Sequence, residues 1–264
     1  MSQQIEETKE SNLTSALVEL NHVSKIYASG KTAVQNVNLT IKENEFISFV
    51  GPSGCGKSTI FKMIAGLIEP TNGSLKIFGE EKGQNTSDIG FVFQDATLLP
   101  WRTVLQNVML PLEFFPLNKS EKQEKAYEAL ELVGLKDYGK SLPRELSGGM
   151  RMRVSIARAL VAKPKLLLMD EPFGALDEIT RQNLQSELLR IWESEKMTVL
   201  FITHNVFESV YLSTKVAVMT GSPGKIESVL DVPIPFPRED ETRSTHAFSD
   251  MVAKVSRHLK STVR

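Results

Sequence analysis

A glycine-rich stretch that ends in lysine and serine has the residue types and the spacing that suit phosphate binding. It fits the pattern G-x-x-x-x-G-K-[ST] and consists of Gly51, Pro52, Ser53, Gly54, Cys55, Gly56, Lys57 and Ser58. The glycines let the backbone curl so that several N–H groups point at one anion. Lys57 adds a positive charge at the β- and γ-phosphates, and Ser58 offers a hydroxyl to Mg²⁺. The stretch predicts a nucleotide phosphate site, and the alternative is a glycine-rich turn with a solvated lysine.

Cys55, inside this stretch, is the single cysteine of the chain. One cysteine excludes a disulfide framework and a cysteine-ligated zinc site. Its thiol is expected to be a tolerated small side chain that faces away from the phosphates, and a redox sensor is the alternative. Thr59 follows the motif and is counted among the predicted nucleotide contacts.

Two carboxylates, Asp170 and Glu171, follow the apolar run Leu166–Met169. Ligands bind at the carboxyl ends of strands in open parallel sheets. Asp170 is placed to organise Mg²⁺ through its water shell. Glu171, expected to point the other way along the pleat, can polarise a water molecule for attack on a γ-phosphate. The alternative is a solvated turn that carries two acids.

The flanking patterns predict the elements that must position these groups. The apolar run 46–50 predicts a strand that ends at Gly51. Apolar residues from Ile60 to Ile68 recur at helical spacing, and Glu69-Pro70 is expected to end that helix. The glycine-rich stretch therefore links a strand to a helix, whose N-terminus directs its positive dipole end at the phosphates.

The second half of the chain predicts an α/β core. Residues 103–162 show mainly helical periodicity, and 165–169 and 198–202 are apolar runs typical of strands buried on both faces of a parallel sheet. A helix over about 179–195 lies between them, which completes a β-α-β unit with a right-handed crossover. The patterns favour one nucleotide-binding core that carries a helical insertion.

Composition and charge narrow the class of protein. The chain has 264 residues, 41% apolar and 24% charged, and its formal net charge is −1. A balanced charge argues against a protein that wraps nucleic acid. The longest apolar runs have four residues, whereas a membrane span needs about 20. Residues 1–16 are polar, so they predict a disordered lead rather than a secretory signal.

Five further features, together with the motifs above, resemble the ATP-binding cassette (ABC) ATPase family. They are the adenine-stacking aromatic Tyr27, the Q-loop glutamine Gln94, the signature motif Leu146-Ser147-Gly148-Gly149-Met150, the D-loop Ala175-Leu176-Asp177 and the switch histidine His204. Taken singly, four of them have a plainer explanation: Tyr27 as a core aromatic, Gln94 as a polar strand end, the signature motif as a helix N-cap and His204 as a structural histidine. Met150 stands where the family commonly has glutamine, and Asn205 stands where aspartate usually follows the histidine.

The resemblance implies a P-loop NTPase (RecA-like) α/β core with an N-terminal antiparallel β subdomain. The ABC ATPase domain would span 17–232, with the helical subdomain inserted at about 95–162, and 233–264 would form a C-terminal tail.

The resemblance also implies a mechanism that uses ATP and Mg²⁺. Cassettes pair head to tail as homodimers, so Ser147, Gly148 and Gly149 would bind the ATP of the other subunit. His204 would contact the γ-phosphate and hold the attacking water with Glu171. Gln94 would sense Mg²⁺ or water and move with the helical insertion.

Three segments resemble the ATPases of nitrate, sulfonate, taurine and bicarbonate importers: 94–108, 222–226 and the proline-rich exit to Arg238. This resemblance implies the ATP-hydrolysing subunit of an importer for a small anion, peripheral to the cytoplasmic face of the bacterial inner membrane. Its partners would be integral-membrane permease subunits and a periplasmic or lipid-anchored solute-binding protein, with no nucleic acid. An exporter ATPase and a nucleic-acid-acting soluble ABC ATPase are the alternatives. Leu98, Leu99 and Trp101 are expected to form an apolar docking groove for the permease, or else a satellite core.

Overall fold

The computed structural model describes residues 16–81 and 88–261. Apart from Ala16, the predicted disordered lead lies outside these ranges. Within them the strands are β1 (Ala16–Ile26), β2 (Thr32–Lys42), β3 (Phe46–Val50), β4 (Asn72–Ile77), β5 (Ile89–Val92), β6 (Leu166–Asp170), β7 (Thr198–Ile202), β8 (Lys215–Met219) and β9 (Ile226–Asp231). The α-helices are α1 (Lys57–Ile64), α2 (Val104–Val108), α3 (Lys119–Leu132), α4 (Gly148–Leu160), α5 (Glu178–Glu195), α6 (Val206–Leu212) and α7 (His246–Ser261).

Two sheets organise the described residues. A six-stranded sheet has the order β5-β6-β7-β3-β8-β9, in which only the β8–β9 pair is antiparallel. A three-stranded antiparallel sheet has the order β2-β1-β4. The predicted α/β core with an N-terminal antiparallel sheet is therefore confirmed.

The central strands of the large sheet are buried on both faces, as their continuous apolar runs predict. Successive side chains of β6 alternate between two cores: Leu166 and Leu168 pack with α1 and the antiparallel sheet, whereas Leu167 and Met169 pack with α4 and α5. The carboxyl ends of β3, β6 and β7 thus emerge side by side between two packed layers, and this arrangement fixes the site that follows.

Helix α1 ends earlier than the sequence predicts. Its last residue is Ile64, and Gly66 has φ 71°, a left-handed conformation that stops the helix before Glu69-Pro70. Leu67, expected on the buried face of this helix, is exposed. The prediction was wrong because a glycine just after the C-cap residue Ala65 outweighs two further apolar residues at helical spacing.

The C-terminal segment is anchored by Arg238. Its buried guanidinium donates to the carbonyls of Val210, Tyr211 and Ser213 at the end of α6, and it stacks 3.9 Å from the Phe236 ring centroid. Burial lowers the pKa of Arg238 to about 10, so it remains charged at neutral pH. Helix α7 then packs against α6 and β8.

No helix within 16–81 and 88–261 combines the length and apolarity needed to cross a bilayer.

Candidate nucleotide site

The glycine-rich stretch forms the loop between β3 and α1, as predicted. Gly56, the N-cap of α1, has φ 95°, and a Cβ there would lie 2.4 Å from Val34 Cγ1 and 2.8 Å from the Ala33 carbonyl oxygen. Only glycine satisfies both the left-handed backbone and this close approach. The loop conformation is therefore fixed by β2, against which Gly56 packs.

Lys57 places its charge at the centre of this loop. Its side chain is 6% exposed, and Nζ donates to the Gly51 carbonyl at 2.8 Å and to the Pro52 carbonyl at 3.0 Å. The thiol of Cys55 is buried and accepts a hydrogen bond from Lys57 Nζ at 3.8 Å. The thiol therefore contacts the predicted phosphate ligand Lys57, and its orientation away from the phosphates stays a prediction.

Ser58 and Asp170 meet at the predicted metal position. Burial raises the pKa of the Asp170 carboxyl at the end of β6, and the nearby Ser58 hydroxyl opposes that rise. No group of three or more histidine, cysteine or acidic side chains within the described ranges could hold a metal alone. One hydroxyl and one carboxylate fit Mg²⁺, which keeps several waters and takes phosphate oxygens as further ligands.

Glu171 and His204 meet across the ends of β6 and β7. His204 Nδ1 lies 3.3 Å from Glu171 Oε2, and the Glu171 N–H donates to the Ile202 carbonyl at 3.0 Å. Glu171 has φ 48°, so a left-handed turn just after β6 sets its direction. Glu171 lies beyond the last residue of β6, so this turn, and not the strand pleat expected from the sequence, sets its direction.

Gln94 and Tyr27 lie beside residues that flank the predicted site. Gln94, just after β5, has Nε2 3.5 Å from the position that a Cβ on Gly174 would take, three residues beyond Glu171. Tyr27 Oη lies 3.3 Å from Thr59 Oγ1 on α1, and the ring is partly exposed. Both positions are compatible with the predicted roles, and those roles remain predictions.

The signature residues lie at the start of α4. Ser147 is the N-cap, and its hydroxyl accepts the Met150 N–H at 3.2 Å. A Cβ on Gly149 would lie 2.6 Å from Thr180 Cγ2, so glycine lets α4 approach α5 closely. Asp177 caps α5 by accepting the Thr180 N–H at 3.0 Å, a bond that holds the pKa of Asp177 below its usual range.

The structure thus brings Lys57, Ser58, Asp170, Glu171 and His204 together, with Gln94 beside them. Among the residues it describes, no hydrogen bond or ion pair joins the start of α4 to the phosphate loop. A phosphate loop follows the central parallel strand β3, and two acids lie at the end of β6, with β7 between the two strands. This arrangement defines the class of P-loop ATPases.

Comparisons with known proteins narrow this class. A family model described as ABC transporter matches residues 34–174. An uncharacterized ABC transporter ATP-binding protein of Methanocaldococcus jannaschii is 42% identical, over 98% of this chain and 97% of its own length. The aliphatic sulfonates import ATP-binding protein SsuB of Bacillus licheniformis is 45% identical over 89% and 90% of the two chains. The bicarbonate transport ATP-binding protein CmpD of Synechocystis is 43% identical over 86% and 82%.

Solved structures agree with these relatives. An ATP-binding cassette solved as a dimer in a post-hydrolysis state, bound to ADP and Pi, has 35% identity and a TM-score of 0.73. The match covers 83% of this chain and 100% of that one. The chain belongs to the ABC transporter family and is an ATPase, which confirms the resemblance seen in the sequence.

The sequence did not point to one residue that shapes the phosphate loop. Gly224, in the turn between β8 and β9, donates its N–H to the Ala33 carbonyl at 3.0 Å, and its carbonyl accepts the Gln35 N–H at 2.8 Å. A Cβ on Gly224 would lie only 1.8 Å from the Cys55 carbonyl oxygen. A glycine between two strands is an ordinary sequence pattern. Only the tertiary contact with Cys55 reveals the role of Gly224.

Gly224→Ala is expected to push the Cys55 carbonyl aside and to weaken MgATP binding roughly tenfold, which corresponds to an overpacking cost of ~1–3 kcal/mol. Fluorescent-nucleotide titration measures the dissociation constant. Gly221→Ala is the matched control, because a Cβ on Gly221 of the same turn meets nothing within 4 Å. Equal nucleotide affinity in both variants would contradict the role of Gly224.

Proposed function

We propose that this chain is the ATP-hydrolysing subunit of an importer that takes up a small anion, such as a sulfonate, nitrate, taurine or bicarbonate, through a separate permease. Relatives named for aliphatic sulfonates import and for bicarbonate transport support import rather than export. The partners are integral-membrane permease subunits and a periplasmic or lipid-anchored solute-binding protein. The chain acts peripherally at the cytoplasmic face of the bacterial inner membrane.

One observation carries the proposed catalytic role: three strand ends of one parallel sheet converge on a single point. The start of α1, reached by the loop after β3, supplies Lys57 and Ser58. The end of β6 supplies Asp170 and the next residue is Glu171, while β7 leads to His204. Together these groups suit a phosphate chain, a cation and an attacking water.

Each residue has a defined role in the proposed reaction. Lys57 and the loop N–H groups bind the β- and γ-phosphates of ATP. Ser58 and Asp170 hold Mg²⁺, which when bound neutralises charge on the phosphate oxygens. Glu171 accepts the proton of the water that attacks the γ-phosphorus, so that ADP and phosphate leave.

Three further residues orient the reacting groups. His204, held by Glu171, contacts the γ-phosphate. Gln94, just after β5, would contact Mg²⁺ or the attacking water. Tyr27, beside Thr59, provides a face on which the adenine stacks.

Two subunits complete the site in the proposed assembly. The starts of α4 and α5 present Ser147, Gly148 and Asp177 on the surface, with Gly149 buried against Thr180. A helix N-terminus offers free N–H groups and a positive dipole end to an anion. Ser147 and the two glycines therefore close over the ATP of the partner subunit, and the homodimeric cassette structures of similar sequence support this arrangement.

Arg158 links the nucleotide site to the exterior of the helical subdomain. It lies on α4, the helix that starts at the signature residues, and its guanidinium donates to the Ala96 and Thr97 carbonyls, both at 2.9 Å. These carbonyls lie just beyond Gln94. A shift of Gln94 on hydrolysis therefore moves α4 and its N-terminus with it.

The proposed docking surface for the permease lies on the segment that comes after Gln94 in the chain. Trp101 is 74% exposed, and Phe114 is 89% exposed at the rim of a groove of about 650 Å³. Buried Asn107 holds the loop: its Oδ1 accepts the Leu99 N–H, and its Nδ2 donates to the Leu99 and Arg102 carbonyls. Leu98 and Leu99, expected to be exposed, are half-buried, so the loop presents Trp101 on a fixed base.

Trp101→Ala is expected to abolish co-purification with a co-expressed permease while the ATPase rate and thermal midpoint of the isolated subunit stay near those of the unmodified chain. The reason is that an exposed indole contributes little to the fold and much to an apolar interface. Leu99→Ala should weaken docking as well. Leu67→Ala removes an exposed leucine outside the helical subdomain and serves as the control. If Trp101→Ala keeps the permease, or if it unfolds the subunit, this docking surface is wrong.

A further inference from the structure

Glu208 is a buried carboxylate that the proposed reaction leaves without a role. It lies in the first turn of α6, four residues after His204, and is 6% exposed. Burial raises the pKa of Glu208, and its hydrogen-bond donors and the charge of Arg181 oppose that rise. A buried carboxylate is retained only where hydrogen bonds and charge compensate its desolvation.

The first contact of Glu208 leads to His204. The Thr203 hydroxyl donates to Glu208 Oε2 at 2.5 Å and accepts the Asn205 N–H at 2.9 Å. One hydroxyl therefore ties together the residues on both sides of His204. The His204 ring itself is exposed and reaches only Glu171 among the described contacts. The position of this ring depends on the backbone that Thr203 and Glu208 hold.

The second contact leads to the segment between Glu171 and Asp177. Arg181 Nε lies 3.6 Å from Glu208 Oε1. The same guanidinium donates to the Leu176 carbonyl at 2.9 Å and to the Phe173 carbonyl at 3.3 Å. Glu208 thereby holds the guanidinium of Arg181, which bonds to both ends of the Phe173–Leu176 segment.

The third contact leads to the C-terminal segment. Gln185 Nε2 donates to Glu208 Oε1 at 3.0 Å, and Gln185 Oε1 accepts a hydrogen bond from Arg243 at 2.9 Å. The guanidinium of Arg243 stacks on the Tyr211 ring, 3.4 Å from its centroid. Three separate parts of the chain therefore converge on one carboxylate.

We propose that Glu208 is a positioning residue that holds His204 and the Phe173–Leu176 segment in one register, so that hydrolysis depends on it and ATP binding does not. The inference rests on the proposed function, because it takes His204 as the switch histidine. A carboxylate that served only stability would affect folding without acting selectively on the hydrolytic step.

Glu208→Gln keeps the side-chain volume but turns an amide N–H towards the Gln185 or Arg181 donors. We expect kcat to fall roughly 10- to 100-fold, the cost of a small misplacement at a reacting centre, while the MgATP dissociation constant changes less than twofold. The ring resonances of His204 should shift in histidine-labelled NMR spectra, with those of His22 and His258 unmoved. Glu178→Gln, which removes the exposed partner of Arg181, is the matched control and should change neither quantity.

A second pair of variants keeps the inference testable if Glu208→Gln does not fold. Thr203→Val removes the bridging hydroxyl at constant volume and should reproduce the loss of kcat and the shift of the His204 resonances. Thr203→Ser keeps a hydroxyl, so kcat and the His204 resonances should stay at their unmodified values. Unchanged kcat in Glu208→Gln or Thr203→Val, or a parallel loss of ATP affinity and stability, would overturn the positioning role. His204→Ala that hydrolyses ATP at the unmodified rate would instead refute the role of His204 in the proposed function.

Discussion

Lys57→Ala is expected to weaken MgATP binding at least tenfold and to abolish measurable hydrolysis. A hydrogen bond from a charged donor contributes ~1.5–3 kcal/mol, and removal of one preorganised donor at a reacting phosphate costs ~10²–10³ in rate. Lys57 also holds the Gly51 and Pro52 carbonyls. Its loss therefore removes a phosphate ligand and loosens the loop that supplies the others.

Thermal unfolding with and without MgATP separates the two consequences. ATP should raise the midpoint of the unmodified chain, because a ligand that binds only the folded state stabilises it. The variant should show a small drop without nucleotide and almost no rise with it. Lys62→Ala, an exposed lysine on the same helix, should behave like the unmodified chain. Unchanged affinity together with unchanged hydrolysis in Lys57→Ala would refute the phosphate-loop assignment.

The sequence predicts the phosphate loop and the strands of this site well, because their signals are local. Strand β7 coincides with the predicted run 198–202, and β3 with 46–50. Continuous apolar runs identify strands that are buried on both faces. The glycines before Lys57 are also a local signal, because Gly54 and Gly56 adopt the left-handed φ angles that form the loop.

Contacts between distant parts of the chain carry no such signal. Asn205 and Glu208 have the spacing of a capping box, in which the acidic side chain accepts the N–H of the N-cap residue. The Thr203 hydroxyl takes that N–H instead, and Glu208 turns inward to Arg181 and Gln185. The donors that draw it inward lie more than twenty residues away, so no local pattern reveals the arrangement.

The two explanations of the signature motif turn out to be compatible. The plainer one, a helix N-cap, is what the single subunit shows, since Ser147 accepts the Met150 N–H. The N-cap arrangement leaves the other N–H groups of the first turn of α4 without helical partners. A cap within one subunit is thus also a surface that suits an anion carried by another, which is the role we propose for it.

Glu171→Gln is expected to bind MgATP and to stop hydrolysing it. The amide keeps the shape of the side chain and its 3.3 Å approach to His204 Nδ1, but it cannot accept a proton from water. Loss of one negative charge near the γ-phosphate also lessens repulsion in the closed state. The trapped species should be a dimer with two ATP molecules at its interface, whereas the chain without ATP should be largely monomeric.

Size-exclusion chromatography with light scattering, with and without MgATP, measures this dimer. Adding Ser147→Arg to Glu171→Gln should remove it while each monomer still binds ATP weakly, because a long cation clashes in the site that the partner completes. Arg144→Ala, an exposed residue just before the signature motif, is a control that should leave the dimer intact. Hydrolysis by Glu171→Gln at the unmodified rate would exclude Glu171 as the base. If the variant instead stays inactive and monomeric at high ATP, head-to-tail pairing does not arise from the nucleotide alone, and the permease must hold the two subunits together.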